Sequence, residues 1–131
     1  MTDLKEPTII AVIFELWPAP SQQTIYFELA AQLRPELNAI DGFISIERFE
    51  SLATPGKYLS LSFWRDEAAV QSWRNCGNHR AAQTQGRASV LANYRLRVAT
   101  VLRDYGMTER EQAPGDSFLF HSPLNSKTAR L

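Results

Sequence analysis

The sequence predicts an α+β domain: one antiparallel sheet with two helices laid against a single face. Three observations predict it. Four stretches carry the alternating or continuously β-branched pattern of strands. Two stretches repeat apolar residues at the three-to-four spacing of an amphipathic helix. The stretches follow one another as strand, helix, strand, strand, helix, strand.

The first strand is Thr8–Trp17 (TIIAVIFELW), an almost unbroken apolar run of the kind covered on both sides. Pro18 and Pro20 stop it, and Ser21 is the expected N-cap of a helix. Ile25, Leu29 and Leu33 define that helix, which is expected to end near Pro35–Leu37. Asp41-Gly42 marks a turn into a second strand, Phe43–Glu50 (FISIERFE). Thr54-Pro55-Gly56 then joins it to a third, Lys57–Trp64 (KYLSLSFW), as a hairpin. Asp66 is the next N-cap, followed at helical spacing by Ala69, Val70 and Trp73. Gly77 interrupts that helix, and a second helical piece is expected from His79 to about Ala92. Tyr94–Tyr105 (YRLRVATVLRDY) closes the pattern as the last strand.

This order is the ferredoxin-like βαββαβ arrangement. Residues 1–106 are expected to form the domain, and 107–131 a polar C-terminal tail that docks, through Phe118-Leu119-Phe120, on a partner subunit. Face assignment by polarity places Leu59, Leu61 and Phe63, with Leu96, Val98 and Leu102, under the helices. Tyr58, Ser60, Ser62 and Trp64, with Glu47, Phe49, Arg95 and Arg97, then fall on the open face. Large aromatics grouped on an open face mark a binding surface. Two such faces packed together would enclose a polar-aromatic cavity, which predicts a homodimer.

Composition narrows the classes. With 131 residues, 44% of them hydrophobic, the chain is one domain with a workable core. Fourteen basic residues balance fourteen acidic ones, so the basic excess of a nucleic-acid binder is missing. No stretch approaches a membrane span, and the short apolar run Ile9–Leu16 lacks a leader's basic flank and cleavage site. A lone cysteine, Cys76, excludes an internal disulfide framework and fits a reducing cytoplasm. CxxC, HExxH, P-loop and GxGxxG patterns are absent, so no metal or nucleotide site is expected.

The segments IAVIFELWP (Ile10–Pro18), DGFISIERF (Asp41–Phe49), LSLSFWRDEAAVQSW (Leu59–Trp73), HRAAQ (His79–Gln83) and YRLRVATVLRDYG (Tyr94–Gly106) resemble the antibiotic biosynthesis monooxygenase family of dimeric α+β barrels. The resemblance covers roughly residues 8–106. It implies one of two chemistries. One branch oxidises polycyclic phenols with molecular oxygen and neither metal nor flavin, the substrate anion supplying the electron. There Trp64 matches a Trp that closes the third strand, while the Asn expected four residues earlier is Ser60. The other branch degrades haem with an Asn on the first strand, a Trp, and a His on the second helix. Trp73 matches that Trp, but the His position holds Gln83 and Thr8–Trp17 contains no Asn, so haem is disfavoured.

The expected function is therefore oxidation of a small aromatic or polycyclic molecule. His79, Arg95 and Trp64 are the candidate catalytic residues, and Phe14, Trp17, Tyr58, Ser60 and Trp73 the candidate pocket. Each has a plainer explanation. His79 suits a helix start, Trp73 suits the core, and Trp17 and Trp64 suit interface packing. Arg95 and Arg97 suit internal ion pairs with Glu15 or Glu47. The alternative function is a non-catalytic binding or scaffold dimer, since fold alone does not determine reaction.

Overall fold

The computed structural model describes residues 8–77 and 89–116. Six elements occur there in the expected order: β1 (Ile10–Pro18), α1 (Gln23–Asn38), β2 (Phe43–Glu50), β3 (Tyr58–Trp64), α2 (Glu67–Arg74) and β4 (Leu91–Thr100). The four strands form one antiparallel sheet ordered β2-β3-β1-β4. The fold is α+β and ferredoxin-like.

Local chemistry sets the element ends. Pro18 closes β1 at a register irregularity against β4, where a residue without an N–H is tolerated. Ser21 does not cap α1. It turns the chain with φ 66°, and Gln22 takes the cap position without a side-chain bond. Pro35 lies inside α1, which continues to Asn38. Asp66 caps α2 as expected, its Oδ1 accepting from the Ala69 amide at 2.9 Å. Arg65 ties the same corner together, donating to both carboxylate oxygens of Asp41 and to Asp66 Oδ2. The Arg65 hydrogen bond holds Asp41 below the usual carboxylate range.

The core cluster is Ile10, Leu37, Trp64 and Ala69, with Val12, Phe43 and Trp73 among the residues packed against it. Fully burying a side chain the size of Ile10 or Leu37 stabilises by about 1.5–3 kcal/mol. The last strand ends at Thr100, short of the expected Tyr105, and it includes Leu91 and Ala92, which were expected to end the second helical piece. The start of that piece at His79 lies outside the described residues. The chain divides into compact units of residues 1–100 and 101–131. Within the second, Arg110 lies 5.1 Å from the Tyr105 ring centroid and donates to the Gly106 carbonyl. Phe118–Phe120 lie outside the described residues.

Candidate functional site

Register decides what faces the helices. Ile10 pairs with Trp64, Val12 with Ser62, Phe14 with Ser60 and Leu16 with Tyr58. Directly paired residues share a sheet face. Tyr58, Ser60, Ser62 and Trp64 are therefore on the helix side, all at most 8% exposed. The expected orientation of β3 is reversed: Leu59, Leu61 and Phe63 lie on the opposite face. The assignment of β4 holds for Leu96, which pairs with Phe14, and Val98, which pairs with Val12, but not for Leu102, which lies past the end of the strand and is 82% exposed.

The reversal creates a cavity. Along β3 the two large rings, Trp64 and Tyr58, stand at the ends, and two serines stand between them. Ser60 and Ser62 are too small to fill the space beneath the helices. A cavity of about 270 Å³ results. Val12, Phe14, Ile46 and Leu96 contribute to its sheet wall. Tyr26, Leu29, Ala30 and Leu33 from α1, with Val70 and Trp73 from α2, contribute to its helix wall. An apolar hollow with few polar groups is the usual form of a small-molecule site.

The polar groups are specific. Trp64 Nε1 donates to Ser62 Oγ at 2.9 Å. The indole N–H is thereby occupied, and Ser62 keeps its own hydroxyl proton to give. Arg48, paired across the strands with Ser60, also lines the cavity. Among the described residues its Nε is buried without a hydrogen-bond partner, and its Cζ lies 6.0 Å from the Tyr26 ring centroid. Arg74 reaches the cavity from the last turn of α2.

Five expected site residues thus fall on the cavity side: Trp64, Phe14, Ser60 and Trp73 line it, while Tyr58 packs edge-on against Phe27 at 5.2 Å. Two do not join them. Arg95 and Trp17 lie on the opposite sheet face, Arg95 beside Glu15 in register and Trp17 beneath the Lys57 ammonium at 5.1 Å. Their strand parity is the reason: both are in step with Glu15, whose neighbours Phe14 and Leu16 point the other way. His79 and Gln83 lie outside the described residues. Arg48, Ser62 and Tyr26 were missed as candidates. Arg48 carries a readable signal, since it stands in step with Ile44 and Ile46, the apolar register of its strand.

The opposite sheet face is held by charge. Glu15 pairs with Lys57 at 3.4 Å and with Arg97 at 3.3 Å. Desolvation pushes the Glu15 carboxyl up, but the two cations outweigh it and hold it below its ordinary value. The expected pairing of Arg97 with Glu15 is present.

Residues 9–85, more than half of the chain, match the antibiotic biosynthesis monooxygenase family. The chain belongs to that family. A jasmonate monooxygenase of Pyricularia oryzae is 53% identical over 93 residues, covering 71% of this chain. This chain matches only 43% of that relative's length. An uncharacterised Bacillus subtilis protein, YqjZ, is 31% identical over 98 residues, covering 75% of this chain and 83% of its own. Among solved structures, SnoaB from Streptomyces nogalater, a cofactor-independent oxygenase, superposes with a TM-score of 0.64 at 11% identity, over 73% of this chain and 95% of its own. That likeness gives the family fold and no more. Among the described residues no helix is long and apolar enough to cross a membrane.

Proposed function

We propose that this chain is a monooxygenase that oxidises a small, largely apolar organic molecule with molecular oxygen in the cavity between sheet and helices. The observation that carries the reading is that cavity, in a member of a monooxygenase family. Its volume of about 270 Å³ sits near the lower end of small-molecule pockets, roughly 300–1,000 Å³. That favours a one- or two-ring body over an extended polycycle. The relative named for jasmonate, a compact cyclopentanone acid, points the same way.

The reaction needs no outside reductant if the substrate carries an activated methylene. R–CH2–R′ plus O2 gives R–CO–R′ plus water, all four electrons coming from the substrate. Deprotonation beside a carbonyl or aromatic ring starts it; the carbanion passes one electron to oxygen, the two radicals join and take up the proton as a hydroperoxide R–CH(OOH)–R′, and loss of water across its C–H and O–O bonds leaves the ketone. The Ser62 hydroxyl, oriented by the Trp64 N–H, is placed to donate to the oxygen on which charge develops. His79 is the proposed base, since imidazole is the side chain that most readily gains and loses a proton near neutral pH. Reaction without metal or flavin is part of the proposal, supported by the cofactor-independent oxygenase of like fold.

A second copy is proposed to cover the opposite sheet face, where Ile13, Leu59, Leu61 and Phe63 are only half-buried and Phe49 is 43% exposed. A reducing, cytoplasmic setting is proposed from the single free cysteine.

The test is oxygen uptake by purified protein, stripped of metal by chelator, against jasmonic acid, cyclopentanone acids and one- and two-ring phenols. Product containing one atom of labelled oxygen supports the reading. Binding without uptake across that panel overturns it in favour of a carrier.

A further inference from the structure

We infer that Arg48, with Ser60 beside it, is the anchor for a carboxylate on the ligand, so that the cavity selects small apolar acids over their neutral analogues. The inference rests on the cavity being the substrate site.

Arg48 differs from Arg97 and Arg65, and it differs from Arg95 in lining the cavity rather than lying on the opposite sheet face. Arg97 is paired with Glu15, and Arg65 with Asp41 and Asp66. Arg48 forms no ion pair among the described residues, and its Nε is buried without a hydrogen-bond partner. Its remaining described contact is the face of Tyr26. A guanidinium facing an apolar hollow is costly unless an anion completes it. The planar fork suits a carboxylate, which it binds through two parallel N–H···O bonds. Ser60 is the direct cross-strand partner of Arg48 and presents a hydroxyl donor on the same face.

Geometry also orients the body of the ligand. Arg48 is on the edge strand β2, and the cavity runs from there across β3 and β1 to Leu96 on β4. Three inter-strand steps of about 4.8 Å give roughly 14 Å of floor. Ser62 stands two residues along β3 from Ser60, about 6.6 Å away. An acid held at Arg48 therefore lays its apolar body over Val12 and Phe14. A carbonyl a few carbons from its carboxylate then falls near the Ser62 hydroxyl.

The experiment measures binding, by quenching of tryptophan fluorescence and by calorimetry, of jasmonic acid and 2-naphthoic acid against their methyl esters. Wild-type protein is expected to prefer the acids by at least about tenfold. Arg48→Gln is expected to bring the acids down to the level of the esters without weakening the esters. Arg48→Lys keeps the charge and restores part of the preference. Arg97→Gln, on the opposite face, keeps all of it. Absence of any acid preference in the wild type, or an unchanged preference in Arg48→Gln, overturns the inference, as does its loss in Arg74→Gln alone. Should Arg48→Gln not fold by circular dichroism, Ser60→Ala with the acid–ester contrast decides: a reduced preference supports the anchor, an unchanged one overturns it. Oxygen uptake separates the two proposals. Arg48-dependent acid binding without uptake retires the oxygenase and keeps the anchor. Uptake with neutral substrates that Arg48→Gln leaves untouched does the reverse.

Discussion

Trp64 donates its indole N–H to the hydroxyl of Ser62, two residues earlier on the same face of β3, and both side chains are buried. The bond fixes the largest ring of the core at one end of the cavity. It also leaves the Ser62 proton as a donor toward a ligand. Ser62→Ala strands the indole N–H in an apolar setting, which costs about 1–3 kcal/mol. Urea unfolding is expected to show that loss. Ser62→Ala placed in a Trp64→Phe background is expected to cost much less, because no N–H remains to strand. Equal losses in both backgrounds would show that the bond is not what Ser62 contributes.

The turn before β2 is built for glycine twice over. Gly42 has φ +96°, and a Cβ there would stand 2.7 Å from the Ala69 Cβ. Gly56, in the hairpin, has φ +78°, and a Cβ there would meet none of the described residues within 4 Å. Both positions carry the left-handed penalty for a side chain, roughly 1–2 kcal/mol, but only Gly42 adds a clash with α2. Gly42→Ala is expected to lower the melting temperature clearly more than Gly56→Ala. Similar shifts from the two would mean that α2 yields freely at Ala69.

Glu15 gives the opposite sheet face a pH dependence of definite sign. Lys57 and Arg97 hold its folded-state carboxyl below the unfolded value, against the desolvation that raises it. The resulting stabilisation is present above the ordinary carboxylate range. It is lost as pH falls through the depressed folded value. Wild type is therefore expected to exceed Glu15→Gln in stability near neutral pH, and the gap is expected to close in acid. Added salt is expected to shrink it as well, since the cations are partly exposed. Denaturant midpoints across a pH series measure this, and a gap that widens toward acid would refute it.

The order of elements was legible because the hydrophobic period changes from two to about four and back at recognisable turns. Asp66 was legible as a cap, and Asp41-Gly42 as a turn, from residue type alone. The face of β3 was not. Alternation sorts Tyr58, Ser60, Ser62 and Trp64 from Leu59, Leu61 and Phe63, but it does not say which set faces the helices. Hydropathy favours the leucines, whereas pairing with Ile10, Val12, Phe14 and Leu16 decides for the other set. Arg95 was misplaced relative to the cavity for the same reason. Arg48 was passed over because a charge in a half-apolar edge strand ordinarily reads as surface.

The helix wall of the cavity offers a direct test of whether chemistry occurs there. Ala30 and Ala31 are neighbours on α1, yet Ala30 lines the cavity and Ala31 is exposed. Ala30→Phe pushes a ring into the hollow and costs about 1–3 kcal/mol from overpacking. Ala31→Phe adds the same ring to solvent, with an expected change within about 0.5 kcal/mol. If substrate occupies the hollow, Ala30→Phe is expected to cut oxygen uptake by an order of magnitude or more while the protein remains folded by circular dichroism. Ala31→Phe is expected to retain wild-type uptake. The contrast uses one helix and one substitution, so a general weakening of α1 would depress both. Full uptake in Ala30→Phe would place the reaction outside this cavity.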